Sequence, residues 1–282
     1  MKPKVSVIIP TYNRPKELEK AVKSVLENGY ENVEVLIGYD GEAYGEFKDN
    51  RVKTFVFEHT GNPSYVRNRL AELSTGDFIT FLDDDDIYLY GKIERQVDVL
   101  RKGDYDATFC NVLVFDNEKG EFFGLAYKNK TIKLENFLYI HAKFGLLVFV
   151  GAWMLKRDFF NRIGGFNEDL KFVEDWEFGV RVFLNGKVLF DNFTGVIHYM
   201  YRPDSLNVRE GRPENFLKAA LEVSKLLKGF EKRKFLGYAY GVASYKSSRV
   251  GKKEESLKYS IIGLSYFPNI FSLRGMIRAI LR

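Results

Sequence analysis

Phe78-Ile79-Thr80-Phe81-Leu82-Asp83-Asp84-Asp85-Asp86 joins an apolar run to four consecutive carboxylates. The run has the length and apolar continuity of a strand buried on both faces. Four like charges at its end repel one another and cost free energy unless a cation or strong donors compensate them. Parallel strands deliver ligand-facing residues at their carboxyl ends, so the aspartates are expected to face a binding crevice. Hard oxygen ligands clustered in this way suit Mg²⁺ or Mn²⁺. A solvated acidic loop is the competing reading, and attachment to a buried strand argues against it.

Outward from this run, the first hundred residues alternate between strand and helix. Val5 to Pro10, Val33 to Tyr39 and Val52 to Phe57 read as further strands. Pro15 to Leu26 has apolar residues at helical spacing, with Asn13 as N-cap and Pro15 in the first turn. Ser64 to Leu73 and Tyr88 to Leu100 read as helices. This pattern predicts an α/β fold with a mostly parallel central sheet flanked by helices. From Ala107 the character changes. Ala107 to Phe115 and Glu121 to Tyr127 read as a strand pair, Leu146 to Leu155 and Val196 to Tyr201 as further strands. Lys156–Ile163 and Glu174–Leu184 read as helices. After Pro213 only helices are expected. Phe216, Leu217, Ala220, Leu221, Ser224 and Leu227 share one face. Ile270, Leu273, Ile277 and Ile280 form another, with Arg274, Arg278 and Arg282 in register opposite.

The chain of 282 residues suffices for one large domain, or for one domain and an appendage. No apolar stretch approaches the roughly 20 residues of a membrane span. The amino terminus runs straight into a strand and lacks a signal-peptide pattern. A single cysteine, Cys110, excludes an internal disulfide and a Cys-rich zinc site, so a cytoplasmic location is expected. Charge is unevenly spread: residues 213–282 carry 14 Lys/Arg and 5 Asp/Glu, whereas the first 212 carry 29 and 33. A basic tail on a mildly acidic body suits an anionic partner. Peripheral contact with a membrane through the C-terminal helices is expected, rather than nucleic-acid binding. A solvated helical surface explains the charge equally well.

Chemistry concentrates at a few junctions. Val5-Ser6-Val7-Ile8-Ile9 runs into Pro10-Thr11-Tyr12-Asn13-Arg14, a glycine-free strand-to-helix turn able to grip a nucleotide. Tyr39-Asp40-Gly41 ends the second strand and reads equally as a ligand carboxylate or an Asp-Gly turn. Arg67-Asn68 lies in a helix ahead of Gly76-Asp77. Later come Gly164-Gly165-Phe166-Asn167-Glu168 and Glu174-Asp175-Trp176-Glu177.

In this order and spacing, over about residues 4 to 205, the segments resemble glycosyltransferase family 2. The resemblance implies a GT-A fold and an inverting, metal-dependent transfer from a nucleotide-diphospho-sugar. The donor would be a UDP-, GDP- or dTDP-sugar. The acceptor would be a hydroxyl of a glycan, glycolipid or lipid-linked glycan, as in cell-surface polysaccharide synthesis. Residues 1–212 would form the catalytic domain, with a nucleotide half to about 105 and an acceptor half beyond it, and 213–282 a basic helical extension. By the same resemblance Pro10, Thr11, Tyr12, Asn13, Arg14, Asp40, Arg67, Asp83 and Asp84 would surround the nucleotide-sugar. Asp85 would hold Mn²⁺ or Mg²⁺, with Asp84 as the contested alternative, and Asp175 would be the catalytic base. Trp153, Glu174 and Arg202 are candidates for the acceptor or diphosphate. Acceptor specificity is expected within Gly120 to Phe149, and a homo-oligomer is compatible with the pattern. Tyr39 stands where the family often has an aspartate before Asp40, which bears on nucleotide preference.

Two other classes fit parts of the pattern. An apolar strand followed by Asp-x-Asp also opens haloacid-dehalogenase-type phosphatases, although no later Lys and Asp-Asp motifs follow here. A sugar-nucleotide or glycan-binding protein without catalysis is the non-enzymatic alternative.

Overall fold

The computed structural model describes residues 2–127, 149–200 and 213–281. These fall into two compact units. The first comprises described residues of 2–127, 149–171 and 181–200, the second those of 172–180 and 213–281.

In the first unit the strands β1 (Val5–Thr11), β2 (Val33–Asp40), β3 (Val52–Phe57) and β4 (Phe78–Phe81) are parallel neighbours, with β1 between β2 and β4. Every residue of β1, β2 and β4 is buried, which explains their near-continuous apolar sequence. The helices α1 (Pro15–Leu26) and α2 (Pro63–Leu73) connect them, and α1 buries Leu18, Ala21, Val22 and Val25. The register pairs Val5 with Phe78 and Ile8 with Phe81, so the carboxyl ends of β1 and β4 lie side by side.

Two sequence expectations need correction here. Asn13 does not cap α1: the N-cap is Arg14, without a side-chain cap bond, and Asn13 takes a left-handed backbone with φ of 53°. The helix expected from Tyr88 starts later. Ile87–Tyr88 forms a short strand, β5, and α3 runs from Lys92 to Lys102 behind the left-handed Gly91. Pairing of Tyr88 with the distant Val196 overrides its local helical context.

Beyond β4 the sheet turns mixed. β6 (Ala107–Asp116), β7 (Glu121–Leu125), β8 (Trp153–Lys156) and β9 (Val188–Met200) complete nine strands among the described residues. The order is β3-β2-β1-β4-β8-β6-β9-β5, with β7 beside β6. β8 lies antiparallel between β4 and β6, and β9 runs parallel to β6. The strand expected from Leu146 is a 3₁₀ turn at Val150–Ala152 followed by β8, and its first residues lie outside the described ones. β9 begins eight residues before the expected Val196. The helices α4 (Arg157–Arg162) and α5 (Glu174–Asn185) stand as the sequence predicts.

The second unit holds the first turns of α5 and four helices, α6 (Pro213–Lys225), α7 (Gly229–Arg249), α8 (Lys253–Tyr266) and α9 (Ile270–Leu281). Trp176 of α5 stacks near Phe216 and Phe235, with ring centroids 5.7 and 6.0 Å away. Phe216, Leu217, Ala220 and Ser224 are buried as expected, while Leu221 is exposed. The isoleucine face of α9 exists but points to solvent. Its buried side is Ser272, Gly275 and Ala279. At about 100° per residue Arg274 and Arg278 flank the isoleucines rather than oppose them. Among the described residues no helix is long and apolar enough to cross a membrane.

Candidate active site

Asp83 to Asp86 form the turn between β4 and β5, with the Asp86 amide bonded to the Asp83 carbonyl at 3.1 Å. Leu82 still pairs with Ile8, so the turn emerges beside the carboxyl end of β1. Each carboxylate has its own set of partners. Asp83 accepts from Arg67 Nη2 at 2.7 Å, and the Arg67 guanidinium lies over the Phe166 ring. Asp84 accepts from Thr11 Oγ1 at 2.7 Å and from Arg14 Nη1 at 3.1 Å. The same Arg14 nitrogen reaches Asp85 Oδ2 at 2.9 Å. Asp86 is buried against His198, whose Nδ1 is 3.0 Å from both carboxylate oxygens.

The sequence expectation of a compensating cation is therefore met in part by the chain itself. Arg14 bridges Asp84 and Asp85, and it does not neutralise the set. Burial first, then the neighbouring negative charge of Asp83, pushes the Asp84 carboxyl up to about 6 against the pull of Arg14 and Thr11. Burial and the charges of Asp86, Asp84 and Asp83 push Asp85 up to about 7. Burial opposes the charged form of His198, but the adjoining Asp86 outweighs it and raises the imidazole to about 9. The charge of Asp86 is thus committed to a pair that ties the turn to β9.

Three neighbouring residues, Tyr44, His59 and Lys92, went unread in the sequence, whereas His198 is legible there as either an assisting or a core residue. Tyr44 contacts the Thr11 hydroxyl, accepts from the Arg14 amide at 3.0 Å and lies edge-on to Tyr39. His59 stacks on Tyr12 with centroids 4.4 Å apart, leaving Tyr12 half exposed at the carboxyl end of β1. His198 pairs with Asp86 as described. Lys92, fully buried, donates to Thr80 Oγ1 at 2.8 Å, and burial lowers its ammonium to about 7. Tyr44 and His59 lie in irregular segments without a pattern, and the partners of Asp86 and Thr80 are set by distant pairing.

Asp40 takes a holding role. Its Oδ1 accepts from the Thr60 amide at 2.7 Å and its Oδ2 from Gly61 at 2.8 Å, which fixes the loop carrying His59. Pro10 is a buried strand residue. Trp153, a candidate acceptor floor, is instead fully buried and stacks on Phe109 with centroids 4.6 Å apart. Asn68 anchors the Gly164-Gly165-Phe166 segment, accepting from the Phe166 amide at 2.8 Å and donating to its carbonyl at 2.9 Å. Gly165, with φ of 61°, brings its backbone so close that a Cβ would meet Asn68 Oδ1 at 2.6 Å.

Asp175 and Glu174 open α5 in the second unit, Glu174 buried and Asp175 Oδ1 accepting from the Trp176 amide at 2.7 Å. Val173 precedes them with φ of 62°, a left-handed backbone that costs a β-branched residue about 1–3 kcal/mol. Asn13 and Val173 are the two non-glycine residues with positive φ among the described residues, and each adjoins a motif segment. Arg202, with Tyr201 and Ser205, and most of the Gly120–Phe149 acceptor segment lie outside the described residues.

Comparison with known proteins completes the picture. UDP-Glc:alpha-D-GlcNAc-diphosphoundecaprenol beta-1,3-glucosyltransferase WfgD of Escherichia coli is 31% identical over 119 residues, 40% of this chain and 47% of that protein. The chain spans about half the length of this curated relative. S. aureus TarS residues 1-349, crystallised with UDP-GlcNAc, superposes with a TM-score of 0.73 at 17% identity, covering 96% of this chain and 83% of that one. Mannosyltransferase PcManGT of Pyrobaculum calidifontis, in complex with GDP-Man and Mn2+, superposes at 0.58 with 13% identity, covering 100% and 87%. These likenesses identify the fold as GT-A. The sequence model described as Glycosyl transferase family 2 matches residues 6–164, more than half of the chain. On that match the chain belongs to glycosyltransferase family 2, which speaks against the phosphatase alternative.

Proposed function

We propose that this transferase moves a sugar, with inversion, from a nucleotide-diphospho-sugar to a hydroxyl of a lipid-linked or polysaccharide acceptor. The observation that carries the reading is the acid turn at the carboxyl ends of β1 and β4, ringed by Thr11, Arg14 and Arg67. The exposed face of Tyr12 offers a surface for the base, and Asp83, bonded to Arg67, suits the ribose. A cell-surface acceptor is supported by the diphosphoundecaprenol-linked substrate in the name of the E. coli relative. A cytoplasmic location at the membrane's inner face belongs to the same reading.

A divalent cation fits the chemistry of the turn. Asp84 and Asp85 are hard donors whose affinity for protons is raised by burial first and by the neighbouring carboxylates second. Among the described residues no three His, Cys, Asp or Glu side chains form a finished metal cage. Asp85, or Asp84 as the contested alternative, would therefore hold the ion beside the donor diphosphate. There it would offset charge developing on the departing diphosphate.

Asp175 serves as base. The acceptor oxygen attacks the anomeric carbon as the bond to the diphosphate breaks, and the hydroxyl proton passes to the Asp175 carboxylate. One base and one displacement give inversion. Arg14, placed between Asp84 and Asp85, would add positive charge beside the diphosphate.

Incubation with a panel of sugar nucleotides and Mn²⁺ tests the reading, with donor hydrolysis and glycan transfer as readouts. Asp175→Asn is expected to lower turnover roughly 10²–10⁴-fold while donor affinity stays within about threefold. Loss of donor binding with turnover intact would reject Asp175 as base. Absence of binding to every sugar nucleotide would reject the donor class.

A further inference from the structure

The helices α8 and α9 are packed inside out. A helix in a water-soluble bundle turns large aliphatic residues inward and polar ones outward. Here α8 buries Ser256, Ser260 and Gly263, and α9 buries Ser272, Gly275 and Ala279. The interior is sewn by hydroxyls. Ser244 Oγ and Ser260 Oγ are 2.7 Å apart, Ser260 Oγ donates to the Ser272 carbonyl at 2.9 Å, and Ser256 Oγ donates to the Gly275 carbonyl at 3.1 Å. The approach is so close that a Cβ on Gly275 would meet Ser244 Oγ at 1.9 Å. Small residues with hydroxyl bonds are how helices join where no aliphatic contact is needed to drive association.

The large residues lie outside. Ile270, Leu273, Ile277, Ile280 and Leu281 are 52%, 41%, 54%, 66% and 78% exposed, and on α8 Ile261 is 63% exposed. At about 100° per residue the five α9 residues fall within an arc of roughly 100°. Arg274 and Arg278 border that arc on one side, and neither is paired with a carboxylate among the described residues. From Ser256 to the carboxyl end the sequence has no Asp or Glu. Aliphatic side chains flanked by arginines along one helix are suited to lying in the interface of a bilayer.

We propose that the exposed face of α9 docks on an anionic lipid surface, with Ile270, Leu273, Ile277 and Ile280 entering the acyl boundary and Arg274 and Arg278 at the head groups. Charge decides between a membrane and a second copy of the chain. Two such faces placed together would oppose arginine to arginine with no acid on either helix end to compensate, whereas anionic head groups supply that charge. The proposal extends the membrane-peripheral location in the reading above, on which its choice of a lipid over a protein partner rests in part. Vesicle binding is read without sugar transfer, so either can fail alone.

The full chain is sedimented with phosphatidylcholine vesicles and with vesicles containing phosphatidylglycerol. Partition onto the anionic vesicles is expected to exceed that onto the neutral ones by roughly tenfold or more. Ile277→Glu with Ile280→Glu is expected to lower it by roughly tenfold or more at unchanged helicity, since both sites are exposed. Arg274→Ala with Arg278→Ala is expected to lower binding to the anionic vesicles and leave the neutral ones unchanged. Equal partition onto both vesicle types, or binding untouched by the glutamates, overturns the proposal. So does a dimer in analytical ultracentrifugation that the glutamates dissociate.

Discussion

At the scale of single residues, the acid turn is a problem in charge compensation that the chain solves incompletely. Arg14 supplies one positive charge to Asp84 and Asp85, and both carboxyls still titrate near 6 and 7 instead of their ordinary 3.8. A carboxyl whose native value lies above its unfolded value stabilises the fold fully below the unfolded value, and loses that stabilisation as pH rises through the native one. The metal-free chain is therefore expected to lose thermal stability from about pH 4 to about pH 7, the range between the ordinary and the raised values. His198, raised from 6.5 to about 9 by Asp86, adds a further loss between about pH 6.5 and about pH 9. Mn²⁺ must displace the carboxyl protons, so its affinity is expected to rise from about pH 4 to about pH 7 and its stabilising effect to be larger at about pH 8 than at about pH 5. Differential scanning fluorimetry with and without Mn²⁺ reads both effects, and a flat profile would contradict the assigned charge state.

At the scale of elements, what the sequence discloses depends on how local the cause is. The span of α1 and both ends of β3 are legible from periodicity and from Pro15, because burial of one face is written into neighbouring residues. The start of α3 is not, because Tyr88 is claimed by Val196. Nor is the first half of β9, where Asp191, Asn192 and Thr194 interrupt the apolar pattern. The site divides in the same way. The aspartates and their strand are visible as a contiguous signal, but Arg14 and Asp84 are 70 residues apart, and His198 and Asp86 are 112 apart. The Gly164-Gly165-Phe166 segment is visible as a motif, while its function as an anchor on Asn68 of α2 emerges only from geometry. Gly165→Ala places a Cβ on Asn68 Oδ1 in a left-handed backbone. It is expected to cost at least about 1–2 kcal/mol, read as a lowered urea midpoint with unchanged slope. An unshifted midpoint would mean that the loop relaxes freely.

At the scale of the molecule, the sheet joins a parallel half, β3-β2-β1-β4, to a mixed half in which β8, β6, β9 and β5 follow. Among the described residues, its last strand in sequence is not at an edge. β9 lies between β6 and β5, so both of its sides are paired. A fragment ending at Asn185 would leave β6 and β5 without that partner. It is expected to bind a hydrophobic dye more strongly than the full chain and to elute as aggregates in size-exclusion chromatography. A compact, dye-silent fragment would show that β9 is dispensable to the sheet.

The interior placement of β9 also has a consequence in time. β6 leaves the ribosome about 80 residues before the strand that must pair with it, as the register of Ala107 on Val188 requires. At roughly 5–20 residues per second, the half-built sheet waits on the order of ten seconds with a long apolar edge open. Newly made chains thus pass through a vulnerable interval, and their yield is governed by the pace of translation and the supply of chaperones as much as by the final free energy of the fold.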